Sequence, residues 1–275
     1  MRITTLLENS LHPNRTDLKA EHGLSFFIEL TDKHFMSDVG ASAYFAENAK
    51  QMGVDLTSVD ALAITHHHYD HGGGLERFFQ ENPSATVYLR WAPKADYIAE
   101  EAHSMSVKYI GLDQAVLEKY ANRITYLSEN TEILPGVHLL TTISSVYPKP
   151  SGDNRLKMRS GNQTVPDTFA HELVTVLVGE QGLVILTGCA HNSVLNLIEA
   201  TRQALPGQPI QAVIGGFHLR HENLRAVQQI GEVLLNMDIP EIYTGHCTGD
   251  DAVAVLKSVL GDRLHRLHTG LVITV

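Results

Sequence analysis

The 275-residue chain has few cysteines, few tryptophans and no long apolar run: it contains two cysteines and one tryptophan. Two cysteines cannot supply the disulfide framework on which small secreted domains depend. No apolar run approaches the roughly 18 residues that a membrane-spanning helix needs. Residues 1–8 show no signal-peptide core, so we expect a cytoplasmic protein without membrane contact.

Basic residues are outnumbered as well. The chain has 21 Lys and Arg residues against 31 Asp and Glu residues, a formal net charge of -10, and no basic run. This balance argues against a nucleic-acid partner, because a phosphate backbone is bound by clustered cations. The expected partner is a small-molecule substrate; if it is anionic, bound metal ions and a few local cations would have to meet it.

The overall composition is that of a globular protein. The hydrophobic fraction is 43%, and no linker or low-complexity tract divides the chain. We therefore expect residues 1–275 to form a single domain. A homodimer is compatible with the sequence.

Histidine is abundant, with 16 residues, and it is clustered. The segment Thr65–Gly74 reads T-H-H-H-Y-D-H-G-G-G and has four histidines and one aspartate in six consecutive positions. It directly follows the apolar run Ala61–Ile64, which predicts a buried strand. The glycines are predicted to open a helix over residues 75–80.

The spacing within this segment predicts metal binding. In an extended chain, residues two apart point the same way, so His66 and His68 can bind one ion. A turn after them would direct Asp70 and His71 to a second ion, and His67 is a spacer on the other side. Imidazole and carboxylate donors suit zinc and its first-row neighbours.

The pattern H-x-H-x-D-H resembles the signature of the metallo-β-lactamase superfamily. The resemblance implies the α/β class and an αββα sandwich, with a site for two divalent transition-metal ions at one edge of the sheets. Zinc is the first expectation, and manganese or iron are the alternatives. The resemblance also implies that Asp38, at the end of a predicted strand, supports the metal ligands; a simple turn aspartate is the other interpretation.

Three later motifs each carry a histidine at or near the end of a strand-like run. They are T-G-C-A-H at residues 187–191, G-G-F-H-L at 215–219 and G-H-C-T-G at 245–249. With E-H-G-L-S at residues 21–25, these motifs resemble the subfamily of 7,8-dihydropterin-6-methyl-4-(β-D-ribofuranosyl)-aminobenzene-5'-phosphate synthase-like proteins. The chain departs from the subfamily pattern at Thr65, Gly74 and Ala190, and none of these departures removes a candidate ligand.

The order of the motifs implies six metal ligands: His66, His68 and His191 at a first site, and Asp70, His71 and His246 at a second. The third ligand of the first site has rivals. The superfamily usually places this ligand just before a hairpin, where His171 stands. It places a bridging Asp or Cys at the position of Cys189. If these two residues are the ligands, His191 lines the pocket instead.

The resemblance also implies roles beyond metal binding. Asp70 would orient the nucleophile as well as bind metal. His218 and His22 would contact substrate or carry protons, and the alternative for both is a histidine packed at a strand end.

The function that these expectations favour is a metal-dependent hydrolase. The metal ions would lower the pKa of a bound water, and the resulting hydroxide would attack a phosphate ester or diester, or a lactone-like cyclic ester. One alternative is a synthase-type transferase that releases pyrophosphate. A second is a non-catalytic metal-binding protein on the same fold, although a catalytically dead member would be expected to lose a ligand.

The region from about residue 91 to 165 is the least regular part of the chain. We expect a loop-rich insertion there that shapes the substrate pocket. Its residues Lys149, Arg155, Lys157 and Arg159 make it the most basic stretch of an acidic chain. These cations could meet an anionic substrate or form a solvated loop.

Overall fold

Two β-sheets pack face to face, and helices cover their outer faces, in the computed structural model, which describes residues 1–100 and 106–275. Strands such as Leu183–Thr187 are buried along their whole length. One face of such a strand meets the other sheet and the other face meets a helix, so its sequence is continuously apolar. The predicted αββα sandwich is confirmed.

The first sheet has the strand order β18-β1-β2-β3-β4-β5-β8 within the described ranges. Its strands are β1 (Arg2–Leu7), β2 (Ser25–Glu29), β3 (His34–Ser37), β4 (Ala61–Ala63), β5 (Thr86–Arg90), β8 (Ile124–Leu127) and β18 (Val272–Thr274).

The second sheet has the order β17-β16-β15-β14-β13-β10-β9 in the same part of the chain. Its strands are β9 (Thr131–Leu134), β10 (Val137–Leu140), β13 (Val174–Val178), β14 (Leu183–Thr187), β15 (Ile210–Gly216), β16 (Glu241–Gly245) and β17 (Leu264–Arg266).

Helices lie on both outer faces of the sandwich, and short 3₁₀ turns join several elements. The α-helices are α1 (Tyr44–Gln51), α2 (Tyr69–Gly72), α3 (Leu75–Glu81), α4 (Gln114–Lys119), α5 (Val194–Ala204), α6 (Leu224–Asn236) and α7 (Asp250–Leu260). The 3₁₀ turns are Leu56–Ser58, Ala121–Arg123, Ser151–Arg155, His246–Thr248 and Gly261–Arg263. No helix in the described ranges is both long and apolar enough to cross a membrane.

The buried side chains fall into layers that match this architecture. Ile28 of the first sheet and Leu186 of the second belong to one cluster between the sheets. Phe78 of α3 packs with residues of the first sheet. Leu197 of α5 and Leu234 of α6 pack against the second sheet. Each sheet is therefore apolar on both faces, which fixes the order of the four layers.

The region predicted to be loop-rich holds a smaller third sheet. Within the described residues its order is β12-β11-β6-β7. The strands are β6 (Asp96–Glu100), β7 (Val107–Tyr109), β11 (Leu156–Ser160) and β12 (Gln163–Pro166). These strands are short and largely exposed, so their sequences lack the apolar pattern that marks a core strand. Residues 101–105 of the predicted insertion lie outside the described residues.

The parallel strands of both sheets end at a common edge. β14, β15 and β16 are parallel neighbours, and their carboxyl ends lie at Thr187, Gly216 and Gly245. In the first sheet, β3 and β4 are parallel and end at Ser37 and Ala63. The histidine-bearing motifs follow these strand ends, so the fold delivers them to the same place.

The last glycine of the histidine segment permits close packing. A Cβ atom on Gly74 would lie 2.3 Å from the carbonyl oxygen of Val39 and 2.7 Å from that of Ser42. Any larger residue would therefore push the start of α3 away from the end of β3 and shift the preceding metal-binding segment.

Asn82 joins α3 to the strand that follows it. Its buried side chain donates from Nδ2 to the carbonyl oxygens of Leu56 and Val59, both at 2.9 Å. Its Oδ1 accepts from the backbone of Ser84 at 2.9 Å and of Ala85 at 2.7 Å.

We predict that Asn82→Ala lowers the free energy of unfolding by about 3 kcal/mol, because several buried backbone groups lose their partner at once. Urea denaturation followed by circular dichroism measures this change. Gln80→Ala, at an exposed position of α3, is the control and should stay within about 0.5 kcal/mol of the wild type. Equal stability of the two variants would contradict the role given to Asn82.

Candidate metal centre

Three histidine rings meet below the common edge of the sheets. We call His66, His68 and His191 cluster one. Their ring centroids lie 4.6 to 5.0 Å apart. The Nε2 atom of each ring is buried and has no hydrogen-bond partner in the described chain. Three buried, unpartnered nitrogen atoms on neighbouring rings are a costly arrangement for a protein alone, and they suit a bound metal ion.

The electrostatics of cluster one also fit metal binding. Burial, and then the neighbouring histidines, lower the pKa of His66 and His191 well below the usual value. Burial, followed by the nearby His171, lowers the pKa of His68 to about 3. The rings are therefore neutral, which is the form that binds a metal.

Hydrogen bonds fix the orientation of His191. Its Nδ1 lies 2.8 Å from Oδ1 of Asp153, and its backbone N–H donates to Oε1 of Glu172 at 2.7 Å. Its ring stacks on Phe169 with 4.3 Å between centroids. Because the contact with Asp153 uses Nδ1, the Nε2 atom of His191 is left to face cluster one.

His171 lies beside cluster one with both ring nitrogens occupied. Nδ1 accepts a hydrogen bond from the backbone of His67 at 3.0 Å, and Nε2 lies 3.1 Å from Oδ2 of Asp167. Oδ2 of Asp167 is also 3.9 Å from Nε2 of His68. Nε2 of His191 thus has no partner in the described chain, whereas His171 forms a separate group of potential metal donors with His68 and Asp167.

Four further donors form a second group, which we call cluster two: Asp70, His71, Cys189 and His246. Nε2 of His71 lies 3.2 Å from Nε2 of His246, and Oδ2 of Asp70 lies 3.6 and 3.3 Å from these two atoms. Sγ of Cys189 is 3.3 Å from the first nitrogen and 3.5 Å from the second. A tetrahedral zinc ion with ordinary bond lengths requires donor separations of about 3.3–3.7 Å, so the set fits.

Oxygen atoms behind the rings hold the histidines of cluster two. Oδ2 of Asp38 lies 2.7 Å from Nδ1 of His71, which is the supporting contact expected of this aspartate. Its two oxygens also accept from the backbone and hydroxyl of Thr65, both at 2.8 Å. Oδ1 of Asn9 lies 2.8 Å from Nδ1 of His246. Both imidazoles are thereby turned so that Nε2 faces the cluster.

In cluster two, neighbouring charges and burial shift the pKa values in opposite directions. Burial disfavours a charged His71, but the carboxylates of Asp38 and Asp70 outweigh this effect and raise its pKa to about 9. Burial likewise disfavours a charged Asp70, yet His71, His22 and His246 hold its pKa well below the usual value. A metal ion would replace the proton of His71 as the positive charge at this place.

The backbone is strained where the site is built. Asp38, Ala190, His218 and His246 have φ values of 60°, 57°, 51° and 50°, in the left-handed region that non-glycine residues seldom adopt. Such strain is retained where a surrounding structure imposes it, and it concentrates at functional sites.

The two remaining histidines that the sequence singles out lie at the solvent side of the clusters. Nε2 of His22 is 3.2 Å from Oδ2 of Asp70, and its ring stacks on His246 at 4.8 Å. Nε2 of His218 is 3.1 Å from Oδ1 of Asp153. Both residues line the cleft above the clusters.

Four residues of the site lie outside the sequence motifs: Glu8, Asn9, Asp153 and Glu172. Glu8 and Asn9 directly follow β1. Their position as polar residues at the end of a strand is the sequence feature that could indicate a role in the site. Oε1 of Glu8 accepts from the backbone of His246 at 2.5 Å. Asp153 lies in the 3₁₀ turn Ser151–Arg155, 38 residues before the histidine that it holds.

The cleft above the clusters has a volume of about 260 Å³ and a cationic rim. Lys108, Arg155 and Arg220 line it and are exposed. Arg155 and Arg220 form no ion pair within the described ranges. The pKa of His221 is lowered by burial and then by these two guanidinium groups, which places both close to it.

We predict that Asp153→Ala and Asp38→Ala weaken metal binding at different clusters. The first releases His191 and the second releases His71, and loss of such a supporting contact lowers metal affinity by about 10–100-fold. Competition with a chromophoric chelator should show that each variant binds one equivalent of metal more weakly than the wild type does. Asp96→Ala, an exposed carboxylate on β6, is the control. Unchanged affinity in both variants would contradict the assigned contacts.

Comparison with known proteins points to one superfamily. The model of the metallo-beta-lactamase superfamily matches residues 18–203. A curated relative from Methanocaldococcus jannaschii, named 7,8-dihydropterin-6-methyl-4-(beta-D-ribofuranosyl)-aminobenzene-5'-phosphate synthase, is 28% identical over 99% of this chain and 96% of its own length.

Solved structures show the same likeness. The crystal structure of Tm1679, described as a metal-dependent hydrolase of the beta-lactamase superfamily, has a TM-score of 0.83 and 27% identity, and covers 100% of this chain and 99% of its own. Zinc-bound PqqB from Methylobacterium extorquens shares the fold, with a TM-score of 0.55 and 10% identity over 100% of both chains. The family model, the fold and the site lead to one conclusion: the chain belongs to the metallo-β-lactamase superfamily.

Proposed function

We propose that this protein is a metal-dependent hydrolase that acts on an anionic phosphate ester or diester. The observation that carries the proposal is the grouping of seven potential metal donors, those of clusters one and two, beneath a cleft with a cationic rim. Two divalent ions held by clusters one and two would supply Lewis-acid chemistry and make water nucleophilic near neutral pH.

The donor set favours zinc over manganese. Cluster two combines two imidazoles, a carboxylate and the thiol of Cys189. Thiolate donors select zinc, whereas manganese prefers oxygen donors. Burial raises the pKa of the Cys189 thiol, so metal binding would have to displace its proton.

The residues around the clusters would move protons and hold the substrate. Asp70 and His22, 3.2 Å apart, form a path from the clusters to solvent, because the His22 side chain is 48% exposed. His218 is held by Asp153 through Nε2, and its Nδ1 has no partner in the described structure. This arrangement suits a group that donates a proton to the leaving group.

The cationic rim favours phosphate over a neutral cyclic ester. Arg155 and Arg220 stand at the cleft without a carboxylate partner among the described residues, in a chain with a net charge of -10. Most exposed arginines of such a chain can pair with its excess carboxylates, as Arg159 does with Asp96. Guanidinium groups bind phosphate through paired hydrogen bonds.

A synthase-type transferase is the second candidate, because the relative with 28% identity over nearly the whole chain carries that name. In this case the metal ions would bind the pyrophosphate leaving group and would not activate water. Pyrophosphate release that requires a second substrate would establish the transferase, and phosphate-ester cleavage in water alone would establish the hydrolase.

We predict about two equivalents of transition metal in protein purified without added metal, as measured by elemental analysis. His191→Ala should lose about one equivalent because it removes a ligand of cluster one. His171→Ala is the matched control and should keep both, since its ring nitrogens are already bonded. If metal is lost from His171→Ala and kept in His191→Ala, the ligand assignment is wrong.

We predict that the metal-loaded protein hydrolyses bis(p-nitrophenyl) phosphate, and that Arg220→Ala raises KM about tenfold with a smaller effect on kcat. In the wild type, the charge of Arg220 would bind the phosphate equally in the ground state and the transition state. Its loss therefore raises KM more than it lowers kcat. Arg225→Ala, at an exposed position that does not line the cleft, should match the wild type. Hydrolysis of a neutral lactone with no phosphodiesterase activity would contradict the proposal.

A further inference from the structure

A second cavity, of about 390 Å³, lies behind the metal cleft, between α5, α6 and the segment Tyr147–Ser151. Its volume falls within the range of about 300–1,000 Å³ that is typical of small-molecule sites. Its apolar lining includes Val194, Leu195, Phe217, Leu219, Ile230 and Val233.

Ser193 supplies a free polar group in this lining. The residue is 4% exposed and stands at the N-cap position of α5, where a serine hydroxyl ordinarily accepts from the first turn. Here its φ is 76°, and the hydroxyl makes no capping bond. It has no other hydrogen-bond partner in the described chain. A ligand with one hydrogen-bonding group would satisfy it.

The charged residues of the lining are already bonded within the protein. Nζ of Lys149 donates to the carbonyl oxygen of Thr168 at 2.7 Å. Oε2 of Glu222 accepts from the backbone of Ser151 at 2.7 Å. Lys149 and Glu222 also carry opposite charges, so the lining has no net charge, which favours an uncharged ligand.

Single segments of backbone separate this cavity from the metal cleft. Phe217 and Leu219 line the cavity, whereas His218 and Arg220 line the cleft. The same alternation occurs at Ser151 and Gly152. The two spaces share no lining residue, so a molecule in the cavity would be distinct from the substrate of the metal centre.

We propose that this cavity binds a small, uncharged, mainly apolar molecule that hydrogen-bonds to Ser193. The molecule would contact the segment Tyr147–Ser151, which leads into the turn that carries Asp153 to His191. Its binding is therefore placed to influence the metal centre, and the inference does not depend on the hydrolase assignment.

The test uses prodan, an uncharged naphthalene ketone whose emission shifts to the blue in apolar surroundings. Prodan should bind the full-length protein saturably, at one equivalent. Ala226→Trp fills the cavity and should weaken binding at least tenfold. Gln228→Trp places the same side chain at an exposed position of α6 outside the lining and should leave binding unchanged.

Ser193→Ala provides a second variant that adds no bulk, and it should weaken prodan binding about fivefold through loss of one hydrogen bond. It decides the matter if Ala226→Trp does not fold by circular dichroism. Wild-type affinity in Ser193→Ala and in folded Ala226→Trp would overturn the proposal. Displacement of prodan by inorganic phosphate would assign the probe to the metal cleft and overturn it as well.

Discussion

The site depends on oxygen atoms that hold imidazole rings by Nδ1. Asp38 holds His71, Asn9 holds His246 and Asp153 holds His191. Each contact decides which nitrogen of the ring faces inward and keeps the ring in place in the absence of metal. Asp38 does more than this, because it also binds the backbone and hydroxyl of Thr65 and so joins the ends of β3 and β4. The same side chain therefore both connects the strand ends and orients the ring of His71.

Much of the fold and most of the clustered donors could be predicted from the sequence. The H-x-H-x-D-H segment follows a short apolar strand, and each later motif follows a longer one. Parallel strands place such ends together, so the meeting of His66 with His191, 4.9 Å apart, follows from local pattern and topology. The third sheet was not predictable in the same way, because its exposed strands bury no continuous apolar face.

The choice between His191 and His171 could not be made from the sequence, and the reason is physical. Both are buried histidines near the same two rings. What separates them is the partner of each ring nitrogen; Asp153 comes from the irregular region and Asp167 from the loop just after it. A loop aspartate has no periodicity that marks it in advance. The same region supplies Arg155 to the cleft, so the part of the chain with the weakest pattern shapes the substrate side of the site.

One atom, the sulfur of Cys189, lies within reach of both clusters, since it groups with Asp70, His71 and His246 and also with His66 and His191. Its neighbour Cys247 is a second buried free thiol whose sulfur lies 3.7 Å from the Cys189 carbonyl oxygen. Sulfur is the donor type here that peroxide oxidises most readily, and a sulfinate is bulkier than a thiolate and presents oxygen atoms in place of sulfur. Oxidation of Cys189 would therefore alter a potential donor shared by both clusters, so a reducing environment would keep both groups of donors intact.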